Sequence, residues 1–293
     1  MTTQPAPPQR SETERVSSAD GAMRTGRAGV PHGSRAPLLL AIPATVAIVF
    51  LVLPLAGLLL KAPWGQFFEK LSSPGVFQAL GLSLLTATET TVVCLVIGVP
   101  LAWLLARTEI PGRRVLRALV TVPLILPPVV GGVALYSALG RQGIVGRWLF
   151  EWWGITIPYT HVAVVLAQSF VALPFLVLSV DGALRSSHAQ LEEAAATLGA
   201  DRWTVFRRIT LPLVGPAVAA GAVLSWARAM GEFGATITFA GSLPGRTETM
   251  PVRVYVELID DFEGTVVLSI LLLAVAVLTL VTLRDRWVGG LRG

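Results

Sequence analysis

A chain of 293 residues that is 53% hydrophobic and only 14% charged lies outside the composition of an ordinary soluble domain, and its positive mean hydropathy agrees. Its formal net charge of +5 is basic, yet the arginines flank apolar runs instead of clustering in a polar domain, which argues for a lipid bilayer and against nucleic acid as a partner. The single cysteine, Cys94, permits no intrachain disulfide.

Residues 1–36 are rich in Pro, Ser, Gly, Thr and Arg and carry almost no large apolar side chains, so they are expected to form a disordered cytoplasmic tail. The first apolar run, Leu38 to Leu60, is too long for the core of a signal peptide and has no small-x-small cleavage site before Lys61; it reads as a retained span. Leu80 to Ala106, Ala118 to Leu139, His161 to Val180 and Thr265 to Leu283 are each long enough to cross a hydrocarbon layer of roughly 30 Å. A further span begins after Pro212 and runs from Leu213 through Met230, and Gly231, Gly234 and Gly241 interrupt the chain beyond it. The expected fold class is therefore an all-α integral membrane protein with six transmembrane helices over residues 37–284, followed by a short tail, 285–293. Six spans place both termini on one side. Of the 23 basic residues, 16 fall in the two tails and the segments 107–117 and 181–211, so that side is expected to be cytoplasmic.

Ionisable residues inside the spans are few. Glu89, in Thr88-Glu89-Thr90, reads either as a carboxyl neutralised by Thr86, Thr90 and a neighbouring helix or as a pathway residue, with the first preferred. The third span holds Pro123, Pro127 and Pro128 followed by Gly131-Gly132, which removes backbone hydrogen bonds and bends the helix. That break either shapes the bundle or exposes backbone to a cavity. Along the fifth span, Ala217, Gly221, Ser225 and Ala229 recur every four residues, a stripe that suits close helix packing or a polar lining. Arg228 and Glu232 stand four apart, within reach of an ion pair on one helix face, and the glycines beside them allow a bend where a pore needs one. Candidate pathway or gate residues are thus Pro127, Pro128, Ser225, Arg228, Gly231, Glu232, Gly234 and Thr236. Between the fifth and sixth spans, Val252 to Ile259 reads as a short helix with an acidic end, Asp260, Asp261 and Glu263, that is either a solvated loop or part of an external docking surface.

No catalytic constellation is visible. His32, His161 and His188 lie far apart, with neither Cys nor carboxylates at metal-ligand spacing, so no metal and no cofactor are expected. The only lysines, Lys61 and Lys70, follow no glycine-rich loop, and ATP hydrolysis must then belong to a partner.

The loop over 185–212 has the shape of a docking device. Ser187 with Gln190 makes a capping box, Leu191, Ala194, Ala195 and Leu198 share one helical face, and Gly199 suits a left-handed helix end. Asp201 is expected to cap a second short helix carrying Trp203, Phe206 and Arg207-Arg208, which Pro212 stops.

In this loop Glu193-Ala194-Ala195, three residues, Gly199, nine residues and Ile209-x-Leu211-Pro212 resemble the signature loop of membrane subunits in bacterial binding-protein-dependent ABC importers. The resemblance implies a type I importer permease (MetI-like) fold and a coupling loop, with Glu193, Ala194, Ala195, Gly199, Ile209, Leu211 and Pro212 fitting a groove on a cytoplasmic ATPase dimer. The segments Ala227 to Thr236, Phe239-Ala240-Gly241 and Thr247 to Pro251 are similar to the oxyanion branch of that family, and Val122 to Gly132 looks most like its molybdate permeases. These likenesses imply a subunit that carries molybdate or tungstate by alternating access and is not itself an enzyme. They also imply a homodimer and an extracytoplasmic molybdate-binding protein. A sulfate or thiosulfate permease is the alternative within the class, and an ion-gradient-driven carrier the alternative outside it.

Overall fold

The structure, a computed structural model, describes residues 38–186 and 189–289. The tail 1–36, His32, Ser187, His188 and the side chain of Gln190 lie outside the described residues, so neither the disordered tail nor the capping box is visible. All regular structure among the described residues is helical. The chain divides into two compact units, one through Pro54 and one from Leu55. The first contains most of α1, Leu38–Leu60, an apolar 23-residue helix with Pro43 and Pro54 inside it and largely exposed side chains.

In the second unit a short α2, Phe67–Leu71, leads to α3, Pro74–Arg107. Pro74 opens α3 in the first turn, where a missing N–H costs nothing. This helix starts six residues before the apolar run expected from hydropathy, and Val76 and Ala79 of the added stretch are buried. Next come α4, Arg113–Ile125, and α5, Pro128–Leu139, whose axes diverge by 120° across Leu126-Pro127. The break follows from Pro127 and Pro128, which cannot continue the hydrogen-bond ladder of α4. Among the described residues five helices are long and apolar enough to cross a membrane, and the bent pair makes a sixth if taken as one span. Its contacts favour one span: Arg117 of α4 reaches Asp181, whereas Leu135 and Leu139 of α5 pack with Ala163 and Ala167, near the other end of the same helix.

That helix is α7, His161–Ser186, reached through the short aromatic α6, Gly146–Trp153. The 185–212 loop forms α8, Ala189–Thr197, and α9, Arg202–Val205, followed by a π turn, Phe206–Thr210, and α10, Leu211–Met230. Pro212 does not stop a helix, as the sequence suggested. It stands in the first turn of α10, the helical path runs on through it from Arg202, and the wider π turn absorbs the mismatch. After Gly231 come α11, Gly234–Phe239, α12, Met250–Asp260, and α13, Phe262–Gly289. The last helix continues beyond the expected boundary at 284.

The core is a three-helix contact of α3, α7 and α10, centred on Ala87, Cys94, Ala102, Ala172, Leu176, Val180, Val214 and Ala229. The small-residue stripe on α10 makes this contact: Ser225 Oγ donates to Ala172 O at 3.1 Å and Ser179 Oγ to Ala217 O at 2.9 Å. A second cluster joins α5, α7 and α11 through Ala163, Ala167, Val171, Ala235 and Phe239. There Gly132 of α5 lies against α11 so closely that an added Cβ would meet Thr238 Oγ1 and come within 2.8 Å of Ala235 O.

Gly132→Val forces that contact apart and is expected to cost about 1–3 kcal/mol, the usual range for overpacking. A lowered unfolding midpoint in detergent checks it, and Gly57→Val, at a glycine with open space around it, serves as the control.

Candidate functional site

Two ends of the bundle carry chemistry. At the end bearing the 185–212 loop, the last carbonyls of α3 have no partner within their own helix, and arginines of α4 supply one: Arg117 Nη2 donates to Leu105 O at 3.2 Å and Arg113 Nη2 to Ala106 O at 3.3 Å. Arg117 also donates to Asp181 Oδ1 at 3.1 Å, and Arg185, one turn beyond on α7, holds both oxygens of the same carboxylate. Asp181 and Arg185 are spaced i,i+4, a signal legible in the sequence; Arg117 comes from 64 residues away and only the fold delivers it.

The loop itself is a helix, a left-handed turn and a second helix. Gly199 has φ +87°, the conformation anticipated for it, and it closes α8 in open space. Asp201 stands at the N-cap of α9 with extended backbone. It makes no full-geometry cap bond to the first turn, yet the Thr204 hydroxyl and amide hold its carboxyl below the usual range. Glu193, Ala194, Leu211 and Pro212 are exposed, Ala195 and Ile209 partly so. Around them project Leu191, Leu198, at 89% exposure, and Trp203, at 65%. An apolar surface of this kind at the end of a bundle is a candidate interaction site. Sequence reasoning missed Glu192. Its Oε1 accepts from Arg107 Nη2 at 2.9 Å and from Thr210 Oγ1 at 3.0 Å, while its neighbour Glu193 points outward. Two adjacent glutamates look alike in a sequence; the roughly 100° between successive residues of a helix sends one inward.

At the opposite end, Arg228 and Glu232 do pair, at 2.5 Å, but not on one helix face. The helix α10 ends at Met230, and Glu232 lies beyond it, 1% exposed, with its Oε1 accepting from Ala235 N at 2.8 Å. It therefore ties the end of α10 to the start of α11. Gly234 has Pro128 and Val129 against it, so a Cβ there would sit 2.9 Å from Pro128 Cβ; Gly231 has room. Pro128, just past the break that Pro127 begins, thus meets Gly234 just past the end of α10. Thr236 is fully buried and its hydroxyl finds no hydrogen-bond partner among the described residues. Ser225 is buried between α7 and α10.

Glu89 is not neutralised by Thr86 and Thr90. Thr90 donates to Gln168 Oε1 at 3.1 Å and Thr86 turns back to Ser83 O, while Glu89 Oε2 lies 2.5 Å from His161 Nε2, the first residue of α7. The acidic end of α12 is likewise engaged: Lys70 of α2 pairs with Asp261 at 2.5 Å and approaches Glu263 at 3.9 Å. The hydrogen bond from Lys70 holds the Asp261 carboxyl below its usual range and the Lys70 ammonium above its own, so both stay charged through neutral pH. Among the described residues no group of three or more His, Cys, Asp or Glu side chains could hold a metal ion.

The long apolar helices, the broken third span and the exposed helix–turn–helix define an all-α membrane permease with the type I importer fold. The chain overlays on a bacterial ABC transporter that imports the acidic polysaccharide alginate (TM-score 0.66, 17% identity, 84% of this chain and 94% of that one). It overlays also on the methionine transporter MetNI in an inward-facing conformation (TM-score 0.54, 22% identity, 72% and 95%). At those identities the likeness is one of fold. Residues 98–291 match the family described as binding-protein-dependent transport system inner membrane component, and the chain belongs to that family. It is 47% identical over 245 residues to the molybdenum transport system permease protein ModB of Mycobacterium tuberculosis, covering 84% of this chain and 92% of that protein. The corresponding protein of Escherichia coli K12 is 41% identical over 213 residues, 72% and 92%. The sulfate permease protein CysT of the same organism is 35% identical over 246 residues, 82% and 88%. A component of this family is the membrane-spanning subunit of an importer that works with a separate ATPase and a binding protein.

Removing Glu232 leaves Arg228 without its carboxylate at the end of a span. Glu232→Ala is expected to destabilise by about 3 kcal/mol, and Arg228→Met together with Glu232→Ala by less than the sum of the single changes, in a double-mutant cycle of detergent unfolding.

Proposed function

We propose that the chain is the permease subunit of a molybdate importer and carries molybdate or tungstate inward by alternating access. The identity to molybdenum permeases over most of the chain, higher than that to the sulfate permease, is the observation that carries the cargo. The exposed apolar face of α8 and α9 supports the energy source: a chain with no nucleotide loop offers Leu191, Leu198 and Trp203 as a surface on which another subunit can push.

In this reading α8 and α9, with Glu193, Ala194, Ala195, Gly199, Ile209, Leu211 and Pro212, sit in a groove of a cytoplasmic ATPase, and both termini share that side of the membrane. A paired ATPase offers two grooves and one chain fills one, so two copies of this chain form the pathway. The pathway or gate draws on Pro127, Pro128, Ser225, Arg228, Gly231, Glu232, Gly234 and Thr236, and a molybdate-binding protein docks at the far end. ATP binding closes the ATPase pair and opens the permease pair toward the binding protein; hydrolysis resets it. The membrane domain begins at 37 and carries the coupling loop at 185–212, and its last helix runs on past 284 to Gly289.

Reconstituted in proteoliposomes with its ATPase and binding protein, the chain is expected to support ATP-dependent molybdate uptake that excess sulfate competes for weakly. Uptake without the ATPase contradicts the coupled reading, and strong sulfate competition moves the cargo to the sulfate branch. Gly199→Val puts a β-branched residue at φ +87°, a strain of roughly 1–2 kcal/mol, and is expected to weaken ATPase association in pull-downs while membrane insertion stays normal.

A further inference from the structure

We propose that Glu192, the inward-facing neighbour of the signature glutamate, is the positioning residue through which movement of α8 reaches the membrane helices, a proposal that rests on the importer reading above. One oxygen of its carboxylate accepts from two elements at once: Arg107, the last residue of α3, at 2.9 Å, and Thr210, the last residue of the π turn leading into α10, at 3.0 Å. The contact is sheltered. Arg107 and Glu192 are 16% and 18% exposed and Thr210 is 1% exposed, so water screens the pair far less than it screens a surface bridge.

The arrangement makes α8 a lever. It packs against the π turn and α9, while its partly buried side is held by a charge-assisted bond to α3, so α8 cannot shift without dragging Arg107 or breaking the bridge. Both helices it holds, α3 and α10, lie on α7 in the central core, where displacement at one end is transmitted by close packing. The π turn adds compliance at the point of attachment, since its wider ring gives the segment from Phe206 to Thr210 an alternative to regular α-helix. Glu193 and Glu192 thus divide two tasks on one helix turn: the outer residue faces the partner subunit and the inner one grips the permease.

The test uses the complete complex in proteoliposomes, with three readouts: ATPase association, binding-protein-stimulated ATP hydrolysis, and molybdate taken up per ATP hydrolysed. Glu192→Gln keeps the shape and removes the charge; association and hydrolysis are expected to persist while uptake per ATP falls about tenfold, within the span of ordinary coupling energies. Thr210→Val removes only the hydroxyl arm and is expected to give a smaller loss in the same ratio. Arg107→Glu combined with Glu192→Arg rebuilds the bridge with reversed polarity and is expected to recover a good part of it. The proposal is overturned if Glu192→Gln leaves uptake per ATP unchanged, if hydrolysis and uptake fall in step, or if the ATPase dissociates, which makes Glu192 a docking residue instead. A wild-type complex that binds its ATPase but shows no ATP-dependent uptake overturns the importer reading itself.

Discussion

Leu176 of α7 is lodged between two glycines, and the bundle is arranged around that contact. One of its methyls lies where a Cβ on Gly98 of α3 would be, at 2.7 Å, and the other 3.1 Å from the Cβ position of Gly221 on α10. In a bilayer, lipid tails are as apolar as leucine, so helices gain little by hiding apolar side chains from them; they associate through close contact and satisfied polar groups. The two glycines permit the first, and the hydroxyls of Ser179 and Ser225, each given to a carbonyl of the facing helix, supply the second. The small-residue stripe on α10 is a packing surface before it is anything else.

Around this fixed centre the polar chemistry is pushed to the two ends. One end gathers Arg107, Arg113, Arg117 and Arg185 with Asp181 and Glu192, and uses the arginines to close the exposed C-terminal carbonyls of α3. The other holds Glu89 with His161 and Arg228 with Glu232. Trp226 Nε1 donates to Thr88 Oγ1 at 3.3 Å, which brings the segments carrying these two pairs to one level of the bundle. Along α7, His161 and Asp181 are separated by roughly 30 Å of helix, the thickness of a hydrocarbon layer. Each of these named groups has a partner in the chain. That is the arrangement a low-dielectric slab imposes on groups it cannot solvate.

The broken third span and the broken end of α10 belong together. Pro127 and Pro128 end α4 and start α5, Gly231 to Gly234 separate α10 from α11, and Gly234 accepts the proline ring against it because it has no side chain. The buried carboxylate of Glu232 bridges the second break by serving the amide of Ala235 and the guanidinium of Arg228 together. Two interruptions in separate helices thus meet in one junction.

The sequence by itself determined the class of this protein: the apolar runs, the arginine asymmetry and the spacing from Glu193 to Pro212 each depend on residues near one another in the chain, where helical period and bilayer thickness leave little choice. It also placed Gly199 in its left-handed turn and found the Arg228–Glu232 pair, though by a helix that turned out to end between them. Only the tertiary structure decided which of two adjacent glutamates grips the bundle, that Glu89 answers to His161 and not to its threonines, and that Pro212 opens a helix instead of closing one. The reason is distance along the chain. Arg107 is 85 residues from Glu192 and Glu89 is 72 from His161, so these partners are chosen by how helices pack, and no local pattern records that choice.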